Sequence, residues 1–299
     1  MQVVVHGGAG TAPEAPESRQ TVLETAANAG AESETPVDAV ESAIHVLESS
    51  PRFNAGVGGA IQSDGVVRTD AGIMTDDRRV GAACSMPGVE HAVSVARLVM
   101  DETPHGFVSG EHAVALAAEY GIETGVYLRS ERTREKWADL EAPEGGPKAQ
   151  LEWIRDQYGQ SDPDGRDDPK DHDTVGAVAF DGERIAAATS TGGRWLALAG
   201  RVGDVPQVGS GFYACPAAGV SATGAGEDIA RVTLSRRVAR HVERGLDAQA
   251  ATDLAIEEFG ELTGSSAGVI AIDSRGGIGA AYNSDAMQTA RVSRRSLEE

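Results

Sequence analysis

The residues best placed to do chemistry lie in D-H-D-T-V-G-A-V, positions 171–178, where an acidic, Pro- and Gly-punctuated stretch gives way to an almost unbroken apolar run. Thr174 stands at the seam. One reading is structural, since threonine is β-prone and opens strands readily. The other is that the chain is cut between Asp173 and Thr174. Thr174 would then carry a hydroxyl and a free α-amine on adjacent carbons. An α-amine has an unperturbed pKa of about 7.7–8.0, well suited to a general base near neutral pH. The hydroxyl is a weak nucleophile until a base takes its proton, and an N-terminal amine is one such base. One residue then supplies both nucleophile and base. No Ser-His-Asp arrangement is evident. The same hydroxyl must attack the carbonyl before it, forming an ester that water resolves. The intact chain would therefore be a precursor, and a mobile tether ahead of Thr174 would let the released end leave.

The elements that must position Thr174 follow from pattern. Val3–Val5 is a strand running into His6-Gly7-Gly8-Ala9-Gly10, and residues near 17–29 read as helix. Thr35, Pro36 and Asp38 form a variant capping box, followed by an apolar face of Val37, Val40, Ile44 and Leu47. His45 lies off that stripe and reads as surface. Two strand-like runs flank Ser63-Asp64-Gly65, a hairpin signal. Helical patterns recur near 90–101, 110–120, 227–243 and 247–261. Residues 141–173 are rich in Pro, Gly and Asp and read as an acidic flexible tether, with Leu151–Ile154 as a helical remnant. Strands at 174–180 and 185–191 are joined at Asp181-Gly182, and further strands fall near 267–272 and 278–282. The 174–191 pair is apolar at nearly every position, so both faces must be covered. An α+β arrangement with two sheets packed on each other and helices outside, αββα, does this. The chain reads as a single domain over 1–299.

Composition narrows the function classes. The chain has 299 residues, 40% of them hydrophobic, and a net charge of −20. Lysine appears only at Lys136, Lys148 and Lys170. Such acidity argues against nucleic-acid or anionic-membrane partners. No apolar run is long enough to span a bilayer. The N-terminus reads as a first strand and not a signal, so a cytoplasmic location is expected. Cys84 and Cys215 are far apart and read as free buried thiols. His91, His105, His112 and His241 show no metal-ligand spacing. His172 reads as a solvated neighbour of the cut, and His6 as a satisfied structural histidine able to touch the site.

Resemblance sharpens the reading of Thr174. H-G-G-A-G at 6–10, F-N-A-G at 53–56, D-T-V-G-A-V-A at 173–179, A-T-S-T-G-G at 188–193, G-R-V-G-D at 200–204 and T-G-A-G-E at 223–227 occur in that order. Together they resemble the plant-type L-asparaginase / isoaspartyl aminopeptidase family of N-terminal-nucleophile hydrolases, over nearly the whole chain. The resemblance implies a four-layer αββα sandwich. It also implies autocleavage into an α subunit, 1–173, and a β subunit, 174–299, and hydrolysis of L-asparagine and β-aspartyl dipeptides. It places the nucleophile at Thr174 and a supporting hydroxyl at Thr191. Arg201 and Asp204 match the anchors for the substrate's α-carboxylate and α-ammonium, a pairing that suits a guanidinium fork and a carboxylate. Thr223 and Gly224 match the oxyanion donors, Gly226 a backbone contact to the ammonium, and Asn54 a residue supporting the nucleophile. No cofactor is implied. A structural sodium ion is, held by main-chain carbonyls of Leu47, Glu48, Ser50, Phe53, Ala55 and Val57. A dimer of αβ units is the implied assembly.

The chain departs from the pattern at Asp173, where many relatives have Gly, and at R-W-L-A-L-A, 194–199, close to the pocket. The end, Y-N-S-D-A-M, follows it only loosely. The rival on the same scaffold is a glycosylasparaginase, toward which T-G-A-G-E-D leans. A nucleotide-binding kinase reading of H-G-G-A-G-T lacks the phosphate-loop lysine. A processed, non-catalytic binding protein is opposed by the complete set Thr174, Thr191, Arg201, Asp204 and Thr223.

The charge of −20 generates a first prediction. In concentrated salt the screening length falls to about 3 Å at 1 M and self-repulsion is removed. The melting temperature is expected to fall when the protein is diluted from molar into millimolar salt. A melt indifferent to salt would exclude a protein adapted to high ionic strength.

Overall fold

The computed structural model describes residues 1–13, 15–143, 145–158 and 174–294. The elements run β1 (Gln2–Gly10), α1 (Pro16–Ala31), α2 (Pro36–Glu48), β2 (Arg68–Thr75), β3 (Val80–Pro87), α3 (Ala92–Glu102), β4 (Phe107–Ser109), α4 (Gly110–Glu119), α5 (Glu131–Ala138) and α6 (Pro147–Tyr158). After Thr174 follow β5 (Val175–Phe180), β6 (Ile185–Thr191), β7 (Phe212–Cys215), β8 (Ala218–Gly224), α7 (Gly226–Val232), α8 (Leu234–Glu243), α9 (Ala248–Thr263), β9 (Ala267–Asp273), β10 (Ile278–Tyr282) and β11 (Ala286–Ser293).

A seven-stranded sheet, in the order β11-β1-β5-β6-β2-β3-β4, faces a four-stranded sheet ordered β10-β9-β8-β7. Helices α1 to α4 cover the outer side of the large sheet, and α8 and α9 cover the small one. This is the expected αββα sandwich. The β5–β6 hairpin lies at its centre. Val175, Ala177, Ala179, Ala186 and Ala188 enter the core under the outer helices. Val178, Phe180, Ile185 and Ala187 enter the core between the sheets. Alternate residues thus meet different layers, which is why the sequence shows no polar alternation there. Small side chains on this hairpin let α2 and the second sheet approach closely.

The helix ends have local causes. Thr35 accepts a hydrogen bond from the Asp38 amide at 3.2 Å and donates its hydroxyl to the Asp38 carboxylate at 2.6 Å. Such a cap stabilises a helix by about 1 kcal/mol. The helical stretch expected as one piece over 227–243 is broken at Thr233, which adopts a left-handed conformation at φ 51°. The freed amides at the start of α8 find other partners. Ser235 N donates to Ser210 O and Arg236 N to Gly209 O.

Several expectations are corrected. The tether expected over 141–173 contains α6 in its first part, longer than the remnant at Leu151–Ile154. Trp153 packs against a small core of Ile61, Val67, Leu128, Trp195 and Leu196, and Ser63 donates to Gln150 at 2.8 Å. Average composition hid these docked residues. Residues 159–173, with His172 and Asp173, lie outside the described residues. The hairpin signal at Ser63-Asp64-Gly65 marks a tight turn with a single bridge, Ile61 to Val67, ahead of β2. The last strand, β11, was not expected. It pairs along β1 from Gln2↔Ser293 to Gly10↔Ala286, and its outward residues mask its pattern. Cys84 and Cys215 are free and buried, as expected. No helix among the described residues is long and apolar enough to cross a membrane.

Close approach of the sheets fixes some glycines. A Cβ on Gly72 of β2 would lie 2.0 Å from the ring of Phe212, a fully buried residue of β7. Gly72→Ala is expected to lower stability by about 1–3 kcal/mol, the usual cost of overpacking. Denaturant unfolding checks this, and an unchanged midpoint would show that Phe212 can yield.

Candidate active site

The open end of the β5–β6 hairpin gathers the first group of residues. The strands are antiparallel, with Val175 opposite Ser190. Thr174 and Thr191 therefore stand together, both buried, with their hydroxyl oxygens 3.3 Å apart. Thr191 Oγ1 also accepts from the Gly193 amide at 3.2 Å and donates toward Asn54 O at 3.4 Å. Asn54 clamps this end of the hairpin. Its Nδ2 donates to Gly193 O at 2.5 Å, its Oδ1 accepts from Ala60 N at 2.8 Å, and its carbonyl accepts from Gly192 N at 2.8 Å. A Cβ on Gly192 would sit 2.2 Å from Gly59 Cα, so only glycine lets the two loops meet.

His6 touches this group from β1. It is fully buried, and burial pushes its pKa down to about 3 against a hydrogen bond to the Thr174 backbone. The ring is neutral. Nδ1 lies 3.4 Å from Gly8 N, and Nε2 lies 2.9 Å from Ser221 Oγ. Ser221 in turn lies 2.6 Å from Thr189 Oγ1, which donates to Gly211 O at 2.9 Å. Both sequence readings of His6 hold: its polar atoms are satisfied, and it abuts Thr174.

The second group surrounds Arg201. Its Nε and Nη2 donate to the two oxygens of Glu227, each at 2.8 Å. The ion-pair partner of Arg201 is thus Glu227. Asp204 is buried, and among the described residues its Oδ2 has no hydrogen-bond partner. Gly226 sits against both anchors, since a Cβ there would lie 2.7 Å from Asp204 Oδ1 and 3.0 Å from Arg201 Nη2. Thr223 and Gly224 end β8. Thr223 is fully buried, and Gly224 has φ +135°, where a side chain would meet Ser266 O at 2.5 Å.

Asp70, Gln62 and Glu227 were not singled out from the sequence. Asp70 faces Thr191 across the β2–β6 ladder and accepts from Ser85 N at 2.6 Å. Its charge also acts on Arg201. Gln62 accepts from Gly200 N at 2.9 Å and donates to Arg201 O at 3.3 Å. Glu227 was visible inside T-G-A-G-E, but its pairing needed the fold. The unusual 194–199 segment packs inward. Trp195 is buried, takes Lys136 over its ring at 4.4 Å, and lines a hollow with Asn54 and Arg132.

The loop after α2 is the candidate cation site. Its ends are joined by Val57 N donating to Glu48 O at 2.8 Å, and Gly56 takes φ +49° beside that carbonyl. The carbonyls of Leu47, Glu48, Ser50, Phe53, Ala55 and Val57 are hard, neutral oxygens, a donor set that fits an alkali-metal ion.

Arg201 is ringed by three acids, and their protonation follows from burial. Burial pushes the Asp204 carboxyl up to about 7 although Arg201 pulls it down, and burial likewise raises Asp70 to about 7. Burial also works against the Glu227 charge, but the hydrogen bonds from Arg201 hold it below the usual carboxylate range. The sign for stability is fixed. Between pH 4 and 7 the unfolded Asp204 is ionised while the folded one keeps its proton, so stability falls as pH rises. Asp204→Asn removes this dependence. Relative to wild type the variant is expected to gain on the order of 2–4 kcal/mol between pH 4 and pH 8. Parallel melts across that range test it, and a constant difference would refute the buried titration.

A family model described as Asparaginase matches residues 1–299. A plant-type L-asparaginase of Pyrococcus abyssi is 40% identical over 305 residues, covering 97% of this chain and 95% of the relative. That of Pyrobaculum calidifontis is 40% identical, covering 95% and 94%. An isoaspartyl peptidase/L-asparaginase of Rattus norvegicus is 37% identical over 310 residues, covering 100% and 88%. With a match along its whole length and relatives of this identity, the chain belongs to the asparaginase family whose motifs it carries around Thr174.

Proposed function

We propose that the chain is an autoprocessing amidohydrolase that hydrolyses L-asparagine to L-aspartate and ammonia and cleaves β-aspartyl dipeptides through Thr174. The relatives' names support the substrates. The observation that carries the mechanism is the pairing of the Thr174 and Thr191 hydroxyls at 3.3 Å, at the buried start of a central strand. A strand-opening threonine with a purely structural role has no need of a second hydroxyl backed by the Gly193 amide.

In maturation, Thr174 Oγ1 attacks the Asp173 carbonyl carbon. The peptide nitrogen leaves as the free amine, and the acyl group moves to oxygen. Water then hydrolyses the ester, leaving a carboxylate on Asp173. In turnover the amine takes the hydroxyl proton as Oγ1 attacks the side-chain amide carbon of the substrate. The oxyanion is held by Thr223 and the Gly224 amide. Loss of one such donor typically costs about 10²–10³ in rate. Ammonia, or the amine of the second residue, leaves with the proton. Water releases aspartate and restores Thr174.

Recognition rests on the second group. Arginine has five donors, and Glu227 accepts from two of its nitrogens. Donors remain for a substrate α-carboxylate. The unpartnered Oδ2 of Asp204 is the natural seat of the α-ammonium, which would draw that carboxyl into its charged form. This explains a requirement for a free amino-acid head. The carbonyl loop after α2 would hold a sodium ion that stiffens the segment carrying Asn54. The same reading takes a dimer of αβ units as the working assembly and a salt-rich cytoplasm as its medium, and the charge of −20 supports the second.

Intact mass after incubation at neutral pH in high salt tests the proposal. Wild type is expected to yield two fragments split between Asp173 and Thr174 and to release ammonia from L-asparagine. Thr174→Ala is expected to stay whole, keep its fold and lose hydrolysis. Cleavage of that variant at the wild-type rate would sink the assignment. Turnover of a glycosylated asparagine without turnover of asparagine would favour a glycosylasparaginase.

A further inference from the structure

We propose that the side chains of His45, Glu48 and His91 form a binding site for a borderline divalent cation of the zinc class, outside the catalytic centre and adjoining the carbonyl loop, to which Glu48 lends only its main-chain oxygen. His45 and Glu48 stand three residues apart in the last turn of α2, a spacing that puts them on one helix face. His91 is the N-cap residue of α3, yet its side chain makes no cap hydrogen bond. It turns instead to Glu48. One ligand atom from each of the three residues lies within 4.8 Å of the others. His91 Nδ1 and Glu48 Oε2 are 3.4 Å apart. The edge of a tetrahedron with ligands about 2.0–2.1 Å from zinc is about 3.3 Å. That pair is already at the separation an ion requires.

The site is built from behind. Glu48 is fully buried. Its Oε1 accepts from Val93 N at 3.1 Å and from Ser190 Oγ at 2.6 Å, which fixes the direction of Oε2. The two rings are tilted against each other with centroids 4.3 Å apart. Their side chains are 37% and 34% exposed, so the rings can close the remaining gap and an ion has a path in. Outer carboxylates stand behind the imidazoles, an arrangement that orients histidine ligands and raises their basicity. Glu90 approaches His91 Nε2 at 3.9 Å, and Glu41 accepts from Ser94, which contacts His45 Nε2 at 2.6 Å. Two imidazoles and one carboxylate leave a fourth position for water. This donor set selects zinc-class ions over magnesium or sodium. A bound ion would tie α2 to α3 and, through Glu48 and Ser190, to the strand that ends at Thr191. In the sequence, 45 residues separate His45 from His91, which hides any ligand spacing.

The test uses the full chain, stripped with chelator and held in high NaCl with excess MgCl₂. ZnCl₂ is titrated by calorimetry, and thermal melts are taken with and without it. One saturable equivalent per chain and a raised melting temperature are expected. In His45→Gln/His91→Gln the affinity should fall at least about tenfold and the thermal gain should vanish. Absence of a saturable equivalent in wild type would overturn the proposal. So would unchanged affinity and thermal gain in a natively folded double variant. Should the double variant misfold by circular dichroism, His91→Asn alone makes the same comparison.

Discussion

The structure depends on one constraint: a hairpin covered on both faces must end in polar residues that are themselves buried. β5 and β6 are packed between α2 and the second sheet, and neither face has room for a charged side chain. The hairpin's open end cannot turn to solvent without opening those layers. Thr174, Thr191 and Asn54 answer the constraint together. Each hydroxyl or amide is matched to another or to a loop carbonyl, and Asn54 joins the loop after α2 to the loop after β6. A hydroxyl in such a place has few rotamers to lose. Its neighbours are set before any substrate arrives, which is the condition under which positioned dipoles are most effective.

Around Arg201 the opposite principle operates. Glu227 is matched to the guanidinium, but Asp204 keeps a buried oxygen with no partner. Leaving such an atom unsatisfied costs about 1–3 kcal/mol. Asp70 adds a further buried carboxyl facing the same cation. Burial holds both aspartates near neutrality in their titration, so the free site avoids collecting three full negative charges around one positive charge. A ligand that brings an ammonium and a carboxylate together relieves both defects at once. A carboxylate without the ammonium would leave the Asp204 oxygen unpaired and add to the negative charge.

Much of this was legible in the residues. The doubly covered hairpin followed from its unbroken apolar run, and the α2 cap from Thr35, Pro36 and Asp38. The pairing of Thr174 with Thr191 was implied by the resemblance to the family. What escaped had identifiable causes. β11 packs on one side only, so its pattern is diluted by outward polar residues. Helix α6 docks a few apolar residues within a segment whose average composition is that of a linker. The break at Thr233 is decided by carbonyls of residues 209 and 210, which no local propensity encodes. Asp70 and Glu227 are ordinary acids until the fold turns them toward Arg201.

The same limit explains His45. Off the apolar stripe of α2, it satisfies every local criterion for a solvated residue, and its exposure is indeed partial. Only the packing of α3 across α2 brings His91 against it and sets both rings beside a fully buried carboxylate. A carboxylate on that side of α2 would ordinarily be left in water. Here Ser190 and the Val93 amide have been recruited to hold it inside. Burying an acid is expensive unless it is well paired. Glu48 uses one oxygen to link the outer helices to the strand that ends at Thr191, and its other oxygen faces His91 Nδ1.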